Sequence, residues 1–103
     1  MQSTMQSYRL SKLAEQDLAG IWRYTLENWS RKQADKYVTG LLKACSEIAN
    51  APDTLGQTYA HVRDGYRKYL YGRHVIFYKV MEDGGTLISR VLHERMDFDR
   101  HLK

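Results

Sequence analysis

Residues 65–97, GYRKYLYGRHVIFYKVMEDGGTLISRVLHERMD, decide how this chain folds. Two apolar-rich runs flank Asp83-Gly84, and a shorter aromatic run precedes Gly72. Runs of β-branched and aromatic residues broken by glycine turns read as antiparallel strands. Gly72-Arg73 suits a tight turn with glycine in first place, and Asp83-Gly84 one with both residues at positive φ. The pattern predicts a three-stranded antiparallel meander. In its middle strand Val75 and Phe77 alternate with Ile76, Tyr78 and Val80, all bulky, so both faces of that strand need cover. Helices are expected on one face. The other needs the C-terminal tail or a partner, and function is expected at that second cover. The last strand ends in a packet of Arg90, His93 and Arg95, which puts positive charge where the chain leaves the sheet.

Two amphipathic helices come first. Residues 7–11 (SYRLS) form a short strand candidate. Ser11 can cap the helix that follows, with Glu15 and Asp17 early in it, where negative charge suits the positive helix end. Ala14, Leu18, Ile21, Trp22, Thr25 and Trp29 share one helical face, Arg23 and Glu27 the other, and the helix should stop near Asn28. Ser30 restarts helix, with Gln33 placed as in a capping box. Ala34, Tyr37, Val38, Leu41, Cys45, Ile48 and Ala49 make the second apolar stripe. So short a break forces an antiparallel helical hairpin. Gly40 costs the helix about 1 kcal/mol against alanine, so close packing is expected there. Pro52 closes the helix, and residues 53–64 read as a loop.

A chain of 103 residues makes a single domain over residues 1–103. Residues 1–6 are expected to be a loose extension, because MQST is followed at once by MQSY and Met5 reads as a second start. Hydrophobic content of 43% and charged content of 27% exclude a disordered chain. Sixteen Lys and Arg against twelve Asp and Glu give +4 and a pI near 9.3, a balance that favours acidic partners without choosing among them. Eight tyrosines and two tryptophans exceed what so small a core can hide, and such residues are enriched at recognition surfaces. One cysteine, no signal-peptide pattern and no membrane-length apolar run lead to an expectation of a reducing cytoplasm.

Candidate chemistry is sparse. Cys45 sits on an apolar helical face with no histidine nearby in sequence and reads as a small buried hydrophobe. Arg31, Lys32, Asp35, Lys36, Lys43 and Glu47 read as a solvated helix face. His93 and His101 flank Asp97 and Asp99, but without cysteine pairs or helical histidine spacing neither a metal nor another cofactor is expected. There is no nucleophile elbow and no phosphate-cradling glycine loop. The remaining candidates are Arg67, Arg73, His74, Arg90, His93, Arg95 and His101. Arg90, mid-strand between apolar neighbours, needs a carboxylate or several carbonyls, and structural pairing with Asp97 or Asp64 is expected ahead of substrate contact. Arg73, His74, Arg95 and His101 should cluster near the strand ends and the tail.

YRLSKLAEQDLAGIWRYTLENW, then QADKYVTGLL, GYRKY, GRHVIFYKV and RVLHERMD resemble, in that order, the ParE branch of the RelE/ParE toxin superfamily. These toxins belong to bacterial type II toxin–antitoxin pairs, and the similarity runs from Tyr8 to Leu102. The resemblance implies an α+β fold with an N-terminal edge strand and an antiparallel α-helical hairpin packed on an antiparallel β-meander. It also implies a ParD-like antitoxin whose C-terminal segment wraps the toxin in a hetero-oligomer and whose N-terminal part binds operator DNA, with Trp22, Tyr37, Tyr69 and Tyr78 as candidate antitoxin contacts. The RelE-like branch cleaves messenger RNA on the ribosome. At its functional places this chain holds Arg67 and Tyr69, His74, Arg95 and His101, of which only Arg95 is kept by type. The ParE-like branch implies inhibition of DNA gyrase by binding rather than by catalysis. Arg73, His74, His93, Arg95, Met96 and His101 are the candidate target contacts. His74, Arg95 and His101 are the residues a nuclease would have to use.

Overall fold

The protein is described by a computed structural model that covers residues 8–58 and 65–102. Residues 1–6, Ser7 and Asp64 therefore lie outside the described residues. The elements run β1 (Tyr8–Leu10), α1 (Lys12–Asn28), α2 (Arg31–Asn50), α3 (Pro52–Leu55), β2 (Gln57–Thr58), β3 (Arg67–Tyr71), β4 (His74–Val80), β5 (Thr86–His93) and α4 (Phe98–Leu102). Both serines cap as expected. Ser11 Oγ accepts from the Ala14 N–H at 2.9 Å and Ser30 Oγ from the Gln33 N–H at 3.0 Å. Ser11 Oγ also donates to the Ser89 carbonyl at 2.7 Å, which pins the start of α1 to β5.

The strands form one sheet in the order β1-β5-β4-β3-β2. The meander β3-β4-β5 is antiparallel, while β1 adds a parallel edge to β5. Sequence periodicity read residues 53–64 as loop; instead α3 follows directly from α2, and β2 pairs with Arg67 and Lys68. A two-residue strand and a four-residue helix are too short to carry a period, so no pattern could announce them.

The turns follow their glycines. Gly72 sits at φ +57 in first place, as the hairpin between β3 and β4 requires. The second turn differs from expectation. Gly84 alone has positive φ, and the Gly84 N–H donates to the Met81 carbonyl at 2.9 Å. The Met81 N–H then meets the Gly85 carbonyl at 2.7 Å, so the loop has three residues and only glycine needs left-handed backbone. Asp83 Oδ1 accepts from the Gly85 N–H at 2.8 Å and holds the turn without leaving ordinary φ.

Two cores lie on opposite faces of the sheet. On the inner face Ile76, Tyr78, Ile88 and Val91 pack under the hairpin against Ala14, Leu18, Leu41, Cys45 and Ile48. On the outer face Val75, Phe77 and Leu92 meet Tyr66, Phe98 and Leu102. Phe77 and Phe98 stack edge to face at 4.9 Å, so the tail helix supplies the second cover that β4 demands. Val80, at the end of the strand, is exposed. Trp29 is also exposed, at 75%, because α1 ends at Asn28 and the tryptophan falls just beyond the apolar stripe. Gly40 meets its expectation: a Cβ there would overlap the Tyr71 hydroxyl lying across α2.

Candidate functional site: a groove between the helical hairpin and the end of the sheet

A bulge prepares one corner of the site. Phe77 pairs with Arg90 but Tyr78 pairs with Ile88, so Ser89 is an extra residue in β5. The parallel edge β1 reaches only as far as Ile88. Beyond it Asp17, from the second turn of α1, takes over the exposed edge. Its Oδ2 accepts from the Val91 N–H at 2.9 Å and from Arg90 Nε at 2.9 Å, and its Oδ1 from Arg90 Nη2 at 2.9 Å. Arg90 Nη1 donates onward to the His101 carbonyl at 3.1 Å. One fork thus joins α1, β5 and α4. This corrects the expected partner: Arg90 is paired as a structural residue, but with Asp17, which serves the sheet rather than the helix dipole. The Arg90 pKa is held up by the hydrogen bonds it donates to Asp17.

Beside that corner lies a groove of about 1050 Å³. Asp17, Ile21 and Tyr24 of α1 form one wall, with Trp29 at its end; Gln33 and Tyr37 of α2 form another. The sheet closes it with Arg73, His74, Val91 and His93, and Met96 follows from the turn after β5. Tyr37 organises the sheet end. Its hydroxyl lies 2.7 Å from His74 Nδ1 and 3.2 Å from the Tyr71 carbonyl, and it accepts from the Arg73 N–H at 3.1 Å. A Cβ on Gly72 would sit 2.7 Å from that hydroxyl, so the close approach needs glycine as much as the turn does. Burial raises the Tyr37 pKa, which keeps its proton on.

His74 faces His93 across the paired strands, ring centroids 5.3 Å apart and edge to face. Burial first, and the neighbouring His93 second, lower the His74 pKa to about 4. Arg73 turns its guanidinium the other way, to Glu94 Oε2 at 2.9 Å, and that bond lowers the Glu94 pKa.

Four of the six expected target contacts, Arg73, His74, His93 and Met96, therefore share one groove, and Tyr37 joins them from the antitoxin set. Arg95 and His101 do not line it and are exposed. His74 is thus gathered with His93 rather than with His101, because α4 folds back over the outer face. Trp22 donates from Nε1 to Asp35 Oδ1 at 2.9 Å and staples α1 to α2. Tyr69 packs against the inner core and lines a smaller hollow with Leu70 and Phe98. Tyr78 is 0% exposed, its hydroxyl donating to the Pro52 carbonyl at 2.9 Å, and so it holds the core rather than offering a surface. Arg67 bonds the Gly56 carbonyl at 2.6 Å and the Tyr78 hydroxyl at 3.3 Å, anchoring the α3–β2 corner far from His74 in the sheet. Tyr24 and Trp29 line the groove but belong to neither set of expected contacts. Large aromatics on or just past the edge of an apolar stripe were the available signal.

Cys45 is buried, its thiol pushed up to about 12 by desolvation, which leaves it inert. Among the described residues no helix is long and apolar enough to cross a membrane, and no three metal-binding side chains gather.

A helical hairpin thus lies over a mostly antiparallel sheet, with an aromatic-rimmed groove at the strand ends. The chain belongs to the family of ParE toxins of type II toxin–antitoxin systems, parDE, whose model matches residues 8–98. It is 40% identical to Toxin ParE1 of Mycobacterium tuberculosis over 95 residues, 92% of this chain and 96% of the relative. It is likewise 40% identical to Toxin ParE1 of Caulobacter vibrioides over 98 residues, 95% and 99% of the two chains. The fold matches a chain of the chromosomal ParDE system of P. aeruginosa with a TM-score of 0.75 at 17% identity, covering 88% of this chain and 98% of that one.

Proposed function

We propose that this toxin acts by binding DNA gyrase, and that a ParD-like antitoxin neutralises it by covering the same groove. The reading rests on one observation: Tyr37, Arg73, His74, His93 and Met96 line a single cleft, so contacts assigned to two different partners converge. Exposed Tyr24 and Trp29 at its rim are the kind of rigid aromatic that anchors a protein interface. A groove with apolar walls and a few directed polar groups grips a macromolecule more readily than it assembles an acid–base pair. RNA cleavage through the 2′-hydroxyl needs a base, an acid and a charge for the phosphorane held together. His74, Arg95 and His101, the candidates for those roles, are spread over two faces of the sheet, which favours binding over catalysis. The antitoxin would form a hetero-oligomer with the toxin and carry any contact with operator DNA, and the pair would work in the cytoplasm.

Purified toxin should inhibit gyrase supercoiling and trap linear or nicked plasmid. Gyrase running normally in excess folded toxin rejects the proposal. Cleavage of translated messages in the ribosomal A site would move the assignment to a nuclease.

A further inference from the structure

Seven glycines occur in the chain, and six of them have a reason among the described residues. Gly65, Gly72 and Gly84 stand at positive φ, and Gly40, Gly56 and Gly85 each have another residue's atom within 3.1 Å of the place a Cβ would take. Gly20 has neither reason. It sits exposed in the middle of α1, and a Cβ there would meet nothing within 4 Å. Against alanine, a glycine inside a helix shifts the folding equilibrium about fivefold away from the native state. Among the described residues, nothing in this chain offsets that loss.

What Gly20 faces is the groove. Gln16, Gly20 and Tyr24 follow one another four residues apart on the α1 wall, a row about 12 Å long in which the glycine is a dip between two longer side chains. The charges that line the groove are already matched within the chain, Asp17 by Arg90 and Arg73 by Glu94. Burial lowers the His74 pKa to about 4 and so leaves that ring uncharged at neutral pH. An inserted carboxylate or ammonium would have to displace a bond already made, whereas an apolar surface meets Ile21, Tyr24, Trp29 and Val91 directly. A linear row of this kind suits one segment of chain laid along it, with side-chain anchors in the groove, better than the broad face of a large enzyme.

We propose that Gly20 is a contact position for an apolar segment of the antitoxin, left without a side chain so that the segment can come against the α1 backbone. The inference rests on the antitoxin reading above and names the point of closest approach. Urea unfolding of the free toxin and titration with a ParD-like antitoxin test it together. Gly20→Ala should move the unfolding equilibrium of the free toxin about fivefold toward the native state, and yet weaken antitoxin binding at least about fivefold. Gly20→Leu should weaken binding about a hundredfold. Ala19→Leu, exposed on the same helix but outside the groove, should stay within about twofold of the parent. A packing role inside the chain would instead lower stability, so a Gly20→Ala toxin that unfolds more easily than the parent overturns the inference. So do Gly20 variants that bind the antitoxin like the parent, and a Gly20→Leu toxin that keeps the antitoxin while losing only gyrase inhibition, which would give the position to gyrase. Gly20→Ala decides the matter even if Gly20→Leu folds poorly. Absence of binding by the folded parent rejects the antitoxin reading itself; tight parent binding with unaffected Gly20 variants removes only this contact.

Discussion

Two arginines of the sheet hold carboxylates in opposite ways. Arg90 and Asp17 are 16% and 13% exposed, bonded through the guanidinium Nε and Nη2, and tied further to Val91 and the His101 carbonyl. Arg73 and Glu94 make one contact at 2.9 Å with side chains 71% and 33% exposed. The first pair is a corner of the scaffold, since every charge and edge N–H there is spoken for. The second sits on a turn at the mouth of the groove, where water competes for both groups and exchange with a partner costs little. Identical chemistry thus becomes fixed scaffold or an open, exchangeable contact according to how much water it excludes.

That contrast can be broken most sharply at Asp17. Asp17→Ala leaves the Arg90 guanidinium and the Val91 N–H without their acceptor, and should lower unfolding free energy by about 3–5 kcal/mol in urea titrations. A loss near zero would make the corner a surface pair like the other. The open turn has its own rigid element. Gly72→Ala places a Cβ at positive φ against Tyr37, and should cost about 1–3 kcal/mol while loosening Arg73 and His74 in hydrogen exchange. Acidification probes the groove end more gently. The folded pKa of His74 lies below its ordinary 6.5, so its contribution is complete above 6.5 and lost as pH falls toward about 4. Partial exposure limits the loss to no more than about 2 kcal/mol, and His74→Phe should flatten the dependence in that window. Smallest of all, Glu94→Gln should leave the melting temperature unchanged within error, because its carboxylate remains open to solvent.

Much of this was legible from residues alone, for identifiable reasons. Ser11 and Ser30 announce helix starts because capping is a local event over three residues. Gly72 and Gly84 mark the hairpins because only glycine accepts their backbone. The demand of Val75 and Phe77 for cover followed from period two, and Phe98 and Leu102 supply it. The failures are nonlocal. Asp17 lies 73 residues from Arg90, and nothing in either stretch points to the other. His101 carries the right side chain for the groove, yet its helix packs on the opposite face. Its carbonyl, which no sequence pattern singles out, is the group that bonds Arg90. Trp29 fits the helical period but falls one residue past the end of α1, which turned an expected core residue into the rim of the site.

Mutual exclusion is the claim from which the rest of the functional account descends, and one binding measurement addresses it. Gyrase immobilised at saturating density should capture free toxin but not toxin already complexed with its antitoxin. Added antitoxin should also strip toxin from gyrase. A stable ternary assembly of gyrase, toxin and antitoxin would place the two partners on different surfaces and contradict the shared groove.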